Sequence, residues 1–218
     1  MKLYYAPGAC SLAVHIALRE VGVDFEPIRV DLRAHTLPDG SDYKAISPRG
    51  YVPLLTLPDG SRHTEAASLL QHVADLDPAQ ALIGKPGTPR RLAVIEWLAF
   101  TGTELHKTFA PLWNPQAAES TRSAATSTLT TRFTELDQHL AQHGHLAGDF
   151  SVADAYAFVV ISWAQRVGLS LAPHPHLQRY LARVAQRPQV LAAMQAEGLT
   201  QVTAASSRQQ AAEQRVLA

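Results

Sequence analysis

The first 77 residues alternate short apolar runs with amphipathic stretches, a pattern typical of a mixed α/β unit. Four strands are predicted, three from apolar runs and the last from the tight turn before it: residues 2–5, 25–30, 54–57 and 61–63. Residues 11–22 and 65–75 carry apolar positions at helical spacing, with Thr64 as the expected N-cap of the second helix. The predicted order is strand, helix, three strands and helix.

From residue 90 onward the pattern is helical throughout. Helices are predicted over residues 90–112, 121–143, from 151 onward, 176–186 and 188–197. Ser151 and Asp154 have the spacing of a capping box at the start of the third of these helices. Proline and glycine are concentrated in residues 77–89, between the two patterns. Three segments are therefore predicted, an α/β domain, an all-helical domain and a polar tail: residues 1–80, 88–200 and 201–218.

Composition narrows the class of protein. Of the 218 residues, 46% are hydrophobic and 17% are charged, which is typical of a globular chain. Lysine and arginine together number 19, as do aspartate and glutamate, so a nucleic acid is not an expected partner. No apolar run approaches the roughly 20 residues of a membrane helix. The first residues lack the apolar core of a signal peptide, and we expect a cytoplasmic protein.

The chain contains a single cysteine, Cys10, so an intrachain disulfide is excluded. It follows Pro7 and Gly8, at the point where the first predicted strand ends and a helix begins. Free backbone amides and the positive end of the helix dipole favour a thiolate at such a place. A buried cysteine that acts as a small hydrophobe is the other interpretation. Position alone leaves both interpretations open.

Two further segments allow a structural and a ligand-binding interpretation. The Val52–Pro53 bond is either an ordinary trans peptide, which position alone favours, or a cis peptide whose Val52 backbone could pair with an extended ligand. Glu65 either belongs to a simple helix cap, again the favoured interpretation, or binds an ammonium group. In the second case the neighbouring amides would bind a carboxylate, and one amino acid carries both groups.

The long helix predicted over residues 90–112 has a polar face opposite an apolar one. The polar face contains Glu96, Ala99, Thr103 and His106. Such a stripe lines a cleft or is simply solvated.

No metal site is expected. The closely spaced histidine pairs lack the cysteine or second pair of ligands that a zinc site needs: His143 with His145, and His174 with His176. The chain also has no glycine-rich phosphate loop and no G-x-S-x-G motif.

Six segments, taken together and in order, resemble the bacterial glutathione S-transferases of the cysteine-containing beta class. The segments are KLYYAPGACSLAVHIALRE, SPRGYVPLLTLPDG, TEAASLLQHVAD, IEWLAFTGTELHKTFAPL, FSVADAYAFVVISWA and RPQVLAAMQAEGL. Each one alone is a weak signal, and the six in sequence are specific. They extend from residue 1 to about residue 199, so the polar tail lies outside the resemblance.

The resemblance implies a thioredoxin-like N-terminal domain, an all-helical C-terminal domain and a homodimer. Glutathione is then expected as co-substrate in the cleft between the domains, with no separate cofactor and no metal. A cis Val52–Pro53 bond is implied, with the Val52 backbone paired to the cysteinyl part of glutathione and Glu65 and the Ala66 amide on its γ-glutamyl end. The implied catalytic residues are Cys10 and His106. The implied glutathione-binding residues are Tyr5, Ala9, Cys10, His35, Tyr51, Val52, Pro53, Glu65, Ala66, Thr103, His106 and Lys107.

The chain departs from the family pattern at several of these positions. Ala66 replaces a serine or glycine, Tyr51 a glutamine, His35 a lysine and Ala99 an asparagine. The function expected from the resemblance is conjugation of glutathione to small hydrophobic electrophiles, a detoxification chemistry. Two alternatives remain: glutathione-dependent thiol–disulfide exchange through Cys10, and a non-catalytic ligand-binding protein on the same fold.

Overall fold

The computed structural model describes residues 1–199, and the predicted polar tail lies outside this range. Its first part is built on a four-stranded mixed sheet with the strand order β2-β1-β3-β4. The strands are β1 (Lys2–Tyr5), β2 (Glu26–Arg29), β3 (Leu54–Thr56) and β4 (Arg62–His63). β2 runs parallel to β1, whereas β3 is antiparallel to both β1 and β4. The predicted strands are confirmed, with ends that differ by a residue or two.

Alternating side chains of the sheet face two different cores. Leu3 and Tyr5 point toward α1 (Ser11–Val21) and α2 (Ala66–Asp75), in the main core of the protein. Tyr4, between them, points to the opposite face, where it packs in a smaller cluster with the fully buried Tyr43. α1 is the crossover that parallel pairing of β1 and β2 requires.

Every regular element described after residue 88 is helical. The α-helices are α3 (Pro89–Phe100), α4 (Lys107–Trp113), α5 (Glu119–Leu140), α6 (Val152–Arg166), α7 (Pro175–Ala185) and α8 (Pro188–Ala196). The structure corrects the single helix predicted over residues 90–112, because a π-helical turn, Thr101–His106, separates α3 from α4. Such wider turns change which residues face the same side, and they are frequent at functional sites.

α6 is the central helix of the second part, and nearly all of its side chains are buried. The predicted capping box at its start is confirmed. The Asp154 carboxylate accepts hydrogen bonds from the Ser151 amide and hydroxyl at 2.9 and 2.8 Å. Its other oxygen accepts from the Leu146 amide at 2.9 Å and the Tyr180 hydroxyl at 3.1 Å. This fully buried carboxylate therefore ties the start of α6 to the preceding loop and to α7.

Two carboxylates join the first part of the chain to the end of the second. The buried Glu197 carboxylate accepts from the Gly8 amide and from His15 Nδ1, each at 2.9 Å. Arg187 makes a two-pronged ion pair with Glu20 on α1, at 2.8 and 2.9 Å. The loop between β1 and α1 is thereby held against the helical part.

The Asp154→Asn variant should lose about 2–4 kcal/mol of unfolding free energy. The asparagine amide places an N–H group where the carboxylate accepts hydrogen bonds from buried donors. At least one of those donors therefore loses its acceptor. Urea unfolding followed by circular dichroism measures the loss. Asp149→Asn is the matched control, because the Asp149 side chain is 96% exposed and its ion pair with Arg90, at 3.5 Å, lies at the surface. Equal stability of the two variants would contradict this role of Asp154.

Candidate functional site

The loop that carries Cys10 is fixed by the helical part of the protein. The Gly8 amide donates to Glu197 Oε2 and the Gly8 carbonyl accepts from Trp163 Nε1, both at 2.9 Å. Within the loop, the Ala9 amide donates to the Ala6 carbonyl at 3.0 Å. The position of Cys10 at the start of α1 therefore depends on residues more than 150 positions away.

Cys10 lies at the N-cap of α1, as expected, but it is a protonated thiol. Its side chain is buried and donates to the Val52 carbonyl at 3.3 Å. Burial raises the pKa of Cys10 to about 12, and the charge of Glu65 acts in the same direction. The amides of Cys10 and Ser11 lower the pKa, as the sequence predicts, but by less than burial raises it. Of the two interpretations that position leaves open, the raised pKa favours a neutral, buried cysteine, because burial outweighs the helix terminus.

The Val52–Pro53 bond is cis, which confirms the expectation drawn from the resemblance. Within residues 1–199, the Val52 amide has no hydrogen-bond partner, whereas the carbonyl is taken by Cys10. The preceding Tyr51 carbonyl accepts from the hydroxyls of Tyr43 and Ser47, at 2.8 and 3.3 Å. The backbone around Val52 is thus held firmly while one donor stays available.

Glu65 occupies an unusual backbone conformation at the start of α2. Its φ of 70° and ψ of 108° are strained for a residue with a side chain, a cost of about 1–3 kcal/mol. Glu65, rather than the predicted Thr64, is the N-cap residue, and its carboxylate makes no capping hydrogen bond. That carboxylate is 70% exposed and lies 3.2 Å from Arg49. A strained residue that does not cap its own helix is typical of a ligand-binding position.

His106, the last residue of the π-helical turn, lies against α6. The Tyr156 hydroxyl and His106 Nδ1 are 2.7 Å apart. Burial, and then the charge of Lys107, lower the pKa of His106, while Glu65 opposes them. Burial first, and then the charges of Cys10 and Glu65, raise the pKa of Tyr156.

The protons in this pair can be assigned from these shifts. Both groups are neutral near pH 7, and in the tautomer in which the Tyr156 hydroxyl donates to Nδ1, His106 carries its own proton on Nε2. His106 therefore presents an N–H group and no positive charge near pH 7. Because Glu65 affects the pKa of Cys10, Tyr156 and His106, all four side chains belong to one electrostatic site.

Other predicted residues lie at the margins of this site. His35 has a left-handed backbone, and a Cβ at Gly50 would lie 2.7 Å from its ring. Its Nδ1 is buried and has no partner within residues 1–199. The Tyr51 side chain is exposed, as is Lys107 at the start of α4, whereas Tyr5 is buried at the end of β1.

The Thr103 hydroxyl makes a hydrogen bond within its own helix. It donates to the Ala99 carbonyl one turn earlier, at 3.0 Å. The face predicted to contain Glu96, Ala99, Thr103 and His106 assumes α-helical spacing, which the π-helical turn interrupts.

Two aromatic residues of α6, neither apparent from the sequence pattern, also belong to the site. Tyr156 bonds to His106, and the Trp163 ring lies 5.0 Å from the His106 ring while its N–H holds Gly8. They are seven residues apart and share one face of the helix. α6 is apolar on all sides, so its sequence contains no signal that separates these aromatics from core residues.

Two further features bear on the class of protein. Among the described residues, no group of three or more His, Cys, Asp or Glu side chains is placed to hold a metal ion. None of the helices between residues 1 and 199 has the length and hydropathy that crossing a bilayer requires.

Comparison with known proteins gives a consistent family assignment. Residues 8–76 match the family model described as glutathione S-transferase, N-terminal domain. Residues 100–188 match the model described as glutathione S-transferase, C-terminal domain. Together the two models span both the sheet and the helical part.

Similar proteins of comparable length also exist. Glutathione S-transferase GstA of Escherichia coli O157:H7 is 42% identical over 200 residues, which cover 91% of this chain and 100% of that protein. The structure of a sphingomonad glutathione S-transferase complexed with glutathione is 43% identical, with a TM-score of 0.88. The bacterial beta-class enzyme of Sphingomonas chungbukensis has the same identity and TM-score. Both structures cover 92% of this chain, and this chain covers all of each.

The pKa of Cys10 can be tested directly, because the chain has no other cysteine. With the pKa raised to about 12, the thiolate fraction should grow about tenfold per pH unit through pH 10. Alkylation by iodoacetamide, followed by mass spectrometry, should rise with the same slope and without a plateau. In urea, the rate should level off near the ordinary thiol pKa of about 8.5. A plateau below pH 8 in the folded protein would mean that the α1 amides outweigh burial.

Proposed function

This chain belongs to the glutathione S-transferase family, and from that premise we propose that it conjugates the glutathione thiol to small hydrophobic electrophiles. One observation carries the proposal: at three places near Cys10, N–H groups have no acceptor among residues 1–199. They are the Val52 amide, the Ala66 and Ala67 amides at the start of α2, and Nε2 of His106. A peptide-like anion supplies the acceptors that these groups need.

We propose that glutathione binds along this set of donors. The Glu65 carboxylate pairs with the γ-glutamyl ammonium, and the Ala66 amide binds the adjoining carboxylate at the start of α2. The Val52 amide pairs with the cysteinyl backbone, beside Pro53. His35, whose side chain is partly exposed, lies toward the glycyl carboxylate. Tyr5, Ala9, Tyr51, Thr103 and Lys107 complete the proposed contacts.

The proposed chemistry places the negative charge on the sulfur of glutathione. His106 Nε2 and the amides at the start of α1 stabilise that thiolate, while the neutral Cys10 thiol adds no competing negative charge. The thiolate then attacks the electrophile. A thiol with a pKa near 12 is a weak nucleophile at neutral pH, which favours conjugation over thiol–disulfide exchange through Cys10.

A homodimer, a cytoplasmic location and a role in detoxification are part of the same proposal. In support of the homodimer, Leu76 and Leu92 are 37% and 68% exposed. They adjoin Asp75 and Arg91, whose 2.6 Å ion pair joins α2 to α3. Apolar side chains exposed beside a fixed helix pair are suited to a subunit interface.

Glu65→Gln should weaken glutathione binding by about 1.5–3 kcal/mol, the range for a hydrogen bond to a charged group. The neutral amide cannot pair with an ammonium group as the carboxylate does. Isothermal titration calorimetry measures the affinity. Glu26→Gln is the matched control, because Glu26 is also an exposed carboxylate paired with a cation, Lys2, at 3.1 Å. Unchanged affinity in Glu65→Gln would mean that Glu65 has a structural role at the start of α2 and does not bind glutathione.

The division of roles between Cys10 and His106 predicts two different mutant phenotypes. Cys10→Ser should abolish any disulfide-exchange activity and leave conjugation substantially intact, since glutathione supplies the nucleophile. His106→Ala should lower the conjugation rate by about tenfold, less than the 10²–10³ that a sole donor contributes. Both assays are run with saturating glutathione, and His143→Ala serves as an exposed control.

Two outcomes would contradict these assignments. Loss of conjugation in Cys10→Ser as complete as the loss of exchange would make Cys10 the main stabiliser of the thiolate. A protein that binds no glutathione in the calorimeter would instead be the non-catalytic ligand-binding alternative.

A further inference from the structure

Arg166, the last residue of α6, lies directly on the loop that carries Cys10. A Cβ at Gly8 would lie 3.0 Å from Arg166 Cζ and from Nη1, so the guanidinium group packs against the glycine itself. Gly8 also has a φ of +68°, a conformation that favours glycine. The backbone of Gly8 is bonded to Glu197 and Trp163, so the loop under this cation is fixed.

The charge of Arg166 is not neutralised by the described part of the chain. Its exposed guanidinium makes no ion pair with any carboxylate of residues 1–199. Other arginines of the protein do, including Arg91 with Asp75, Arg132 with Glu104 and Arg187 with Glu20. Glu197 lies under the same loop, but its two oxygens bond to the Gly8 amide and His15.

An aromatic surface begins next to this cation. Trp163 precedes Arg166 by three residues and therefore lies on the same side of α6. Its ring is 6.1 Å from that of Trp113 at the end of α4, in an edge-to-face arrangement, and 5.0 Å from His106. Trp113 is 45% exposed. A cation, a partly exposed indole and the proposed sulfur-stabilising histidine are thus connected through Gly8 and Trp163.

We propose that Arg166 and Trp113 select electrophiles in which an aromatic ring carries a carboxylate. The guanidinium group binds the carboxylate by charge-assisted hydrogen bonds, and the Trp113 face packs against the ring. A neutral electrophile of the same shape keeps only the aromatic contact. The inference rests on the proposed function and adds to it the charge of the second substrate.

The reaction of a suitable substrate, 4-chloro-3-nitrobenzoate, needs no further reactant. The glutathione thiolate forms a C–S bond at the carbon bearing chlorine, and the C–Cl bond breaks with its electron pair leaving as chloride. The thiol proton passes to solvent. The carboxylate takes no part in the bond changes, so it reports only on binding and orientation.

The test compares this benzoate with 4-chloro-3-nitrobenzamide, a neutral compound of nearly the same shape. Each kcat/KM, measured at saturating glutathione, is divided by the uncatalysed rate constant with glutathione at the same pH. The wild-type protein should favour the benzoate. Arg166→Gln should lower kcat/KM for the benzoate about tenfold and for the benzamide less than twofold.

Three controls separate charge recognition from a structural role. Arg166→Lys should retain part of the preference, because it keeps the charge without the planar fork. Arg179→Gln, an exposed arginine on α7, should change neither rate. The preference should also shrink when NaCl is raised to about 0.5 M, since the guanidinium is exposed. Thermal unfolding and calorimetry with glutathione establish that each variant folds and binds glutathione.

The outcomes distinguish this inference from the proposed function. Three results would overturn the role of Arg166 alone. The wild type could accelerate the reactions of both compounds equally, the preference for the benzoate could persist in Arg166→Gln, or that variant could lose both rates equally. No conjugation of either compound, together with no glutathione binding, would overturn the proposed function and this inference with it.

Discussion

Two hydrogen bonds on the backbone of a single residue, Gly8, set the geometry of the site. Its N–H is bonded to a buried carboxylate, Glu197, and its carbonyl to a buried indole, Trp163. Neither buried group can be left without a partner except at a cost of about 1–3 kcal/mol. The sheet and the helices therefore come together in one relative position, and the cleft between them acquires its shape from the same bonds that hold them together. His15, also on Glu197, extends the constraint into α1.

Burial determines the charges of the site as well as its shape. It raises the pKa of Cys10 and lowers that of His106, so that both side chains are neutral near pH 7 and both offer hydrogen to an acceptor. A thiolate of Cys10 would compete with an incoming anionic sulfur for the same donors. With Cys10 protonated, the donors are free for a ligand, and in the proposed function the one negative sulfur in the site is that of glutathione.

Local features of this protein are visible in its sequence, and long-range ones are not. Periodicity and turn residues locate the strands and most helices, and the Ser151–Asp154 spacing identifies the start of α6, because each depends on neighbouring residues. The π-helical turn at Thr101–His106 has no counterpart in the pattern. The roles of Tyr156 and Trp163 depend on partners 50 and 155 residues away.

Cys10 shows the same division between local and long-range effects within one residue. Its place at a helix start is readable from Pro7, Gly8 and the apolar spacing that follows. The direction of its pKa shift cannot be read from the sequence. The amides of α1 are local, but the burial that outweighs them comes from packing against the rest of the fold. Position was predictable from the sequence, and protonation was not.

Gly8 connects the geometry of the thiol site to the proposed recognition of the second substrate. A side chain at position 8 would strain the backbone and also displace the Arg166 guanidinium. The backbone conformation of Gly8 and its contact with Arg166 both require a residue without a Cβ. A change at position 166 acts differently, since the Arg166 side chain is exposed and the bonds on Gly8 come from Glu197 and Trp163. The end of α6 can therefore change the charge offered to a substrate while the loop of Cys10 stays in place. In the proposed function, this separation lets one fixed glutathione site serve different electrophiles.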